Sequence, residues 1–210
     1  MLPGGTANVL AMELGLGSRL DRAAERLIES VERRVALGRL SVAGVGPRYF
    51  LSMAGVGLDA SIVKRVNSSL KARAGKLAYW AAGLTHFGRD IRQFDTRVNG
   101  DARQCGFALV SRVRNYGGDM EIATGASLLS DDFEVVLFEG KHALRYAGYM
   151  LAVGAGRAKS MPGVYTYRSG RVEFSGNAHV QIDGEYCGRA PNALEIVPDA
   201  VTLLMPETYR

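Results

Sequence analysis

From about residue 93 onward, turn signals separate short strand-like segments, and that pattern restricts the fold more than any other feature. Asn99-Gly100, Ser169-Gly170, Asp183-Gly184 and Pro198-Asp199 separate short apolar or alternating segments. Asn-Gly and Asp-Gly suit two-residue hairpin turns, in which both central residues take positive φ. Strands are expected around Phe94 and Val98, over 104–112, Phe133–Phe138, 164–167, 171–174, His179–Ile182, 194–197 and 201–204. Many short strands joined this way predict an antiparallel sandwich or barrel. A helix interrupted by glycines is expected at 141–157.

The first part of the chain has a different grammar. Residues 6–14 predict a short helix capped by Thr6. Residues 21–36 predict a second, with Ala24, Leu27, Ile28, Val31 and Val35 on one side and Gly38 ending it. Residues 39–45 and 48–56 read as strands around Gly46-Pro47, and 58–88 as mostly helical, with Leu70, Ala74, Leu77, Ala81 and Leu84 at helical spacing. The change near Leu37 marks a seam. The expected fold class is α+β, mainly β: an antiparallel β-sandwich with helical insertions over 38–210, preceded by two helices over 1–37 that belong to another unit.

Bulk properties exclude several classes. No apolar run approaches the ~20 residues of a membrane span, and Met1 is followed by a turn, not by a basic stretch and an apolar block. Cys105 and Cys187 lie far apart in no metal spacing, as reduced thiols of a cytosolic protein do. A net charge of +5 and a pI of about 9.4 favour an anionic partner. The basic residues are dispersed, which argues against nucleic acid.

Gly55-Val56-Gly57-Leu58-Asp59-Ala60 imitates a dinucleotide fingerprint, but the acidic residue required about 20 positions on is missing. A tight strand-to-helix turn with Asp59 as N-cap fits better. Ala74-Gly75-Lys76-Leu77 lacks the rest of a P-loop. His86, His142 and His179 have no zinc spacing. Tyr79, Trp80 and Phe87 read as core more readily than as a membrane-facing stripe.

Two stretches carry chemistry. In Pro3-Gly4-Gly5-Thr6-Ala7-Asn8, the backbone N–H groups of Gly4, Gly5 and Thr6 are open to phosphate oxygens, with Asn8 as a side-chain hydrogen-bonder. A plain capped helix explains the same residues. Asp183-Gly184-Glu185 is a hairpin turn, and two carboxylates at a strand end also suit Mg²⁺ on nucleotide phosphates or a base for an attacking hydroxyl. Asp131, Asp132 and Glu134 form an acidic turn, and Asn115, Gly117 and Gly118 shape a loop.

Five segments in order resemble the diacylglycerol kinase and sphingosine kinase-like lipid kinases, especially the bacterial members. They are PGGTANVLAMELGL, MAGVGLDASIV, GKLAYWAAGL, RVRNYGGDMEIATGASLLSDDFEVVLF, and VQIDGEYCG followed by VPDAVTLLMP. The resemblance covers nearly the whole chain. It implies a two-domain kinase related in fold to NAD kinases, with ATP and lipid meeting between an α/β nucleotide domain and a β-sandwich. The family's Gly-Gly-Asp-Gly-Thr loop is absent from these residues. Residues 1–37 then look like the remnant of a truncated α/β domain whose first motif lies before Met1, and the chain alone is expected to be inactive or nearly so.

The resemblance further implies ATP and Mg²⁺ as cofactors, with Gly4, Gly5, Thr6 and Asn8 on the phosphates and Asp183 and Glu185 as catalytic carboxylates. Val9 stands where many relatives have Asp, which puts that Asp's role in doubt here. Relatives carry Asp-Gly-x-Leu-Asp at the acidic turn, in some members as a structural divalent-metal site. That makes Asp131 and Glu134 metal candidates, although the glycine is missing and a solvated turn fits as well. The expected partner is a diacylglycerol-like lipid, met by peripheral contact at the inner membrane surface of the cytoplasm. The alternatives are a non-catalytic sandwich that binds lipid or pairs into a homodimer, and an NAD kinase-like enzyme.

Overall fold

The computed structural model describes residues 2–5, 7–42, 45–65, 90–117, 120–190 and 192–210. Two burial patterns along the strands dictate the architecture. Strand β4 (Phe94–Val98) alternates buried and exposed positions, as a strand with one face in a core and one in water must. Strands β3 (Met53–Gly57), β6 (Phe107–Ser111) and β9 (Phe133–Phe138) are buried at every position, so their sheet is covered on both faces.

The remaining strands are β1 (Ser30–Val42), β2 (Val45–Phe50), β5 (Asp101–Cys105), β7 (Asn115–Gly117), β8 (Met120–Glu121), β10 (Val164–Ser169), β11 (Arg171–Ser175), β12 (His179–Ile182), β13 (Glu185–Arg189) and β14 (Asn192–Pro206). One six-stranded sheet runs β2-β1-β14-β11-β4-β5, the other β10-β9-β6-β3-β12-β13, with β7-β8 as a separate ribbon. The pairings are antiparallel.

Leu40, Phe50, Val56, Phe94, Val110, Phe133, Val172 and Val180 fill the space between the sheets. Phe50 of one sheet stacks on Phe133 of the other, centroids 5.7 Å apart. The outer face of the second sheet presents Phe107, Leu109, Val136 and Phe138 to a helical layer. That layer holds Leu10 of α1 (Val9–Glu13) and Tyr146, Tyr149 and Val153 of α4 (Ala143–Gly154).

The sandwich expectation holds. The two Gly turns sit where expected, with Asn99 and Gly100 at φ 52° and 85° and Asp183 and Gly184 at 45° and 86°, the paired positive φ values of a type I′ hairpin. The second expected helix is shorter. α2 (Leu20–Ile28) ends early and β1 begins at Ser30. Val31 and Val35 fit a two-residue period as well as a helical one, and pairing with β14 from Ser30↔Pro206 to Val42↔Asn192 decides between them. The predicted apolar side of that helix is exposed at Ala24 and Ile28, while Ala23 is buried. The expected seam at Leu37 falls within β1.

Pro198-Asp199 does not end a strand. β14 passes through it by a register shift opposite Val35 and Leu37, with Asp199 at φ 50°. The helix expected to start at Thr6 starts at Val9, and α3 (Leu58–Arg65) is the described part of 58–88. Thr6, Gly118, Lys76, Tyr79, Trp80, His86 and Phe87 lie outside the described residues. No helix among the described residues is long and apolar enough to cross a membrane.

Candidate functional site

Strand register gathers the chemistry-bearing turns at one end of the second sheet. Met53 lies opposite Ser111, Ala54 opposite Ile182, and Ser111 opposite Glu134. The β2–β3 turn, the corner after β6, the Asp183-Gly184 hairpin and the acidic turn before β9 therefore share that end.

Asp183 sits at the tip of the β12–β13 hairpin, where its carboxylate reaches back to the β2–β3 turn. Oδ2 accepts from Leu51 N at 2.7 Å, and Oδ1 from Ser52 N and Met53 N, both at 2.9 Å. Its own N–H donates to the Met53 carbonyl at 2.9 Å. A carboxylate has about four lone-pair sites, so one on Oδ2 remains for another partner. Glu185 is exposed and pairs with Arg48 at 3.2 Å.

The glycine turn precedes α1. Gly5 N donates to Asn8 Oδ1 at 2.7 Å, so the Asn8 oxygen closes the turn. Neither Gly4 nor Gly5 needs positive φ. A Cβ on Gly4 would meet nothing within 4 Å, and one on Gly5 only Asn8 Oδ1 at 3.4 Å. Local packing among the described residues therefore gives no reason for glycine at either position.

Glu13 ties this helix to the sandwich. Its side chain is fully buried and accepts Arg114 N at 2.9 Å, Arg114 Nε at 3.2 Å, Asn115 N at 3.3 Å, Asn115 Nδ2 at 3.1 Å and Tyr209 Oη at 3.0 Å. Arg112, two residues before Arg114, donates its N–H to Ser52 O at 2.9 Å, and Ser52 N is bound by Asp183. A short hydrogen-bonded path thus joins α1 to the Asp183 hairpin.

A second polar chain runs beneath. The Tyr116 hydroxyl donates to buried Asp59, whose other oxygen accepts Gln181 Nε2 at 2.7 Å. Gln181 Oε1 accepts Gly184 N at 2.8 Å. Burial and then the Asp59 carboxylate hold the Tyr116 phenol well above its ordinary pKa. Asp59 is thus a buried network acceptor in the first turn of α3, where an N-cap was expected. Gly55 makes room for it, since a Cβ there would stand 1.8 Å from Asp59 Oδ2. Gly57, at φ 85°, would place a Cβ 2.3 Å from Gly106 O. These two glycines serve close packing.

Sequence reasoning missed Glu13, Gln181 and Tyr116 as site-building residues. The available signal was polarity at positions whose neighbours are core, as in Val180-Gln181-Ile182.

Mg²⁺ commonly takes one or two carboxylates and completes its shell with phosphates and water. Asp183 fits that role with one oxygen, while Glu185 is turned to Arg48. The acidic turn fits a metal poorly. Glu134 is 2% exposed and bound by Gly125 N at 2.6 Å and by Lys159 Nζ. Asp131 is an exposed turn residue. No group of three or more His, Cys, Asp or Glu among the described residues is arranged to hold a metal ion.

A cavity of ≈ 290 Å³ lies at the opposite end of the sheet, lined by Gly57, Leu58, Ser61, Arg92, His179 and Arg189 among others. It includes none of the predicted site residues.

Comparison with known proteins agrees with the fold. The model of the YegS C-terminal NAD kinase beta sandwich-like domain matches residues 52–205. The chain is similar to a diacylglycerol kinase of Bacillus subtilis (strain 168), 24% identical over 99% of this chain and 69% of that protein. It is also similar to one of Staphylococcus saprophyticus, 25% identical over 91% of this chain and 63% of that protein. The chain thus spans about two thirds of these relatives' length. A solved structure of a diacylglycerol kinase from Bacillus anthracis str. Sterne aligns with a TM-score of 0.70 at 16% identity, over 98% of this chain and 68% of that one. With a family match over most of its length, and with the sandwich to go with it, the chain belongs to the YegS C-terminal NAD kinase beta sandwich-like family, among relatives named diacylglycerol kinases.

Proposed function

We propose that the chain is the sandwich-bearing part of an ATP- and Mg²⁺-dependent lipid kinase, which moves the γ-phosphoryl group to a hydroxyl of diacylglycerol or a related lipid at the inner membrane surface. The observation that carries this reading is the hydrogen-bonded path from α1 through Arg114, Arg112 and Ser52 to Asp183. It ties Glu13, in the helix that follows the glycine turn, to the same end of the sheet as the carboxylate hairpin, which supports a shared site. In this reading residues 1–37 carry the phosphate side and 38–210 the sandwich, with β1 running through the boundary and coupling the two.

Phosphoryl transfer asks chiefly for positioning and charge neutralisation. Gly4 offers its backbone N–H to phosphate oxygens, while the Gly5 N–H is held by Asn8 Oδ1 and Gly5 contributes only the lack of a side chain in the phosphate's approach. Both roles account for glycine where packing does not. The free Oδ2 lone pair of Asp183 holds the hydroxyl proton of the lipid or one Mg²⁺ ligand position, and its three backbone bonds fix its direction. Magnesium, when bound with ATP, supplies charge neutralisation at the phosphates. Arg48 holds Glu185 aside, so Glu185 acts as a charge near the hairpin.

The test is transfer of label from γ-labelled ATP to diacylglycerol in mixed micelles. The 210 residues contain no Gly-Gly-Asp-Gly-Thr loop, so the chain alone is expected to transfer almost nothing, and a form joined to such a loop to turn over. Turnover near the usual ~10 s⁻¹ by the chain alone would refute the need for the loop. Phosphorylation of NAD and not lipid by the loop-bearing form would reassign the enzyme.

A second reading, a sandwich that binds lipid or a second copy without transferring phosphate, draws on the structural work Asp183 already does for the β2–β3 turn. Vesicle binding or self-association that ignores Mg-ATP, with no transfer by any loop-bearing form, favours it.

A further inference from the structure

The acidic turn that resembles a metal site holds its charges in another way. Glu134, buried at the start of β9, takes Lys159 Nζ on Oε1 and Gly125 N on Oε2. Lys159 comes from the 3-10 turn Ala158–Ser160 that follows α4. Arg168 of β10 grips both oxygens of Asp132 and also the Gly125 carbonyl. Fully buried Arg112 donates to the carbonyls of Leu128 at 2.7 Å and Ser130 at 3.1 Å, and to that of Ala36 in the other sheet.

Carboxylates and backbone carbonyls are the ligands a hard divalent cation would gather. Here they are shared among three side-chain cations, against the three carboxylates of Asp131, Asp132 and Glu134. A metal at Glu134 would first have to displace the ammonium, whose pairing offsets the cost of burying that carboxylate. Gly125 is close as well: a Cβ there would stand 3.0 Å from Glu134 Oε2.

We infer that Lys159, with Arg168 and Arg112, takes the place of a structural divalent cation, so that the 123–134 turn folds without metal in this protein. The inference concerns folding and stands apart from the kinase reading.

Thermal unfolding of the 210-residue chain tests it. The midpoint is expected to be the same in EDTA as in Mg²⁺ or Ca²⁺ at matched ionic strength. Lys159→Met leaves Glu134 buried and unpaired. Its midpoint is expected to fall by roughly 6–20 °C, with faster hydrogen exchange at the Gly125 amide. Added Ca²⁺ is expected to restore part of that loss. The double variant Lys159→Met/Glu134→Leu removes both charges; it is expected to regain most of the midpoint and to ignore Ca²⁺. A lower wild-type midpoint in EDTA overturns the inference, as does a Lys159→Met protein with unchanged midpoint and Gly125 protection. If the single variant does not fold, the double variant decides: folding without a cation response supports the inference, and a cation response or failure to fold overturns it.

Discussion

Replacing Asp183 separates its two roles. The carboxylate accepts three backbone N–H groups of the β2–β3 turn. Asp183→Asn keeps an oxygen for Ser52 and Met53 and turns an amide N–H toward Leu51. It also tolerates φ 45° at the hairpin tip, where Asn is at home. One charge-assisted bond is lost, and the other two become neutral. Such bonds contribute roughly 1.5–3 kcal/mol each where water is excluded, but Asp183 is exposed, so water replaces more than half of that. A loss of about 1–2 kcal/mol is expected for Asn. Asp183→Ala loses all three bonds and gains left-handed strain, for about 3–4 kcal/mol. At ~2–4 °C per kcal/mol for a chain of this size, Asn lowers the thermal midpoint by roughly 2–8 °C and Ala by roughly 6–16 °C. Calorimetry with urea titration on the same samples gives both quantities. An Asp183→Ala protein with the wild-type midpoint would sink the idea that this carboxylate holds the turn. In a loop-bearing, active form, Asn is also expected to reduce kcat well beyond its effect on stability.

Glu13→Gln turns an N–H toward donors that now converge on a buried carboxylate, and is expected to cost on the order of 3 kcal/mol in the urea-derived stability. Retention of the wild-type urea midpoint would show that Glu13 does not fasten α1. Gly55→Ala forces a Cβ onto Asp59 and is expected to destabilise by about 1–3 kcal/mol, whereas Gly4→Ala stays within roughly 0.5 kcal/mol and shows its effect only on nucleotide affinity. Equal losses from the two would contradict the division between packing and ligand-facing glycines. Burial pushes the Cys105 thiol from 9.0 up to about 12. The folded chain therefore holds that proton more tightly than the unfolded chain. Its contribution is complete below about pH 9 and is lost as pH rises toward 12. Urea midpoints at alkaline pH are expected to decline less steeply in Cys105→Ala, and an unchanged slope would refute the linkage.

Local chemistry made much of the sandwich legible. Asn99-Gly100 and Asp183-Gly184 adopt the hairpin conformation their residue types favour, and Phe133–Phe138 forms the strand its apolar run suggested. Pairing with distant residues decided the rest. The stretch from Ser30 to Ala36 carries a helix-compatible pattern, yet β14, on the order of 170 residues away, recruits it as a strand because its backbone groups find partners there. The strand Glu185–Arg189 has little apolar signal and exists because the I′ turn folds it onto β12. Among candidate site residues, Asp183 was visible as a turn carboxylate, while its grip on Leu51, Ser52 and Met53 depends on a contact across some 130 positions.

The sequence by itself determined the antiparallel class, the hairpin tips and the family, because turn residues and hydrophobic alternation act over a few neighbours. Tertiary structure alone decided which polar residues would be buried and with whom. Glu13 meets Arg114 and Tyr209, Glu134 meets Lys159, and Asp59 meets Gln181 only after the sheets close. The physical reason is that a buried charge is tolerable only beside its partner, and the partner is chosen by the path of the chain through space.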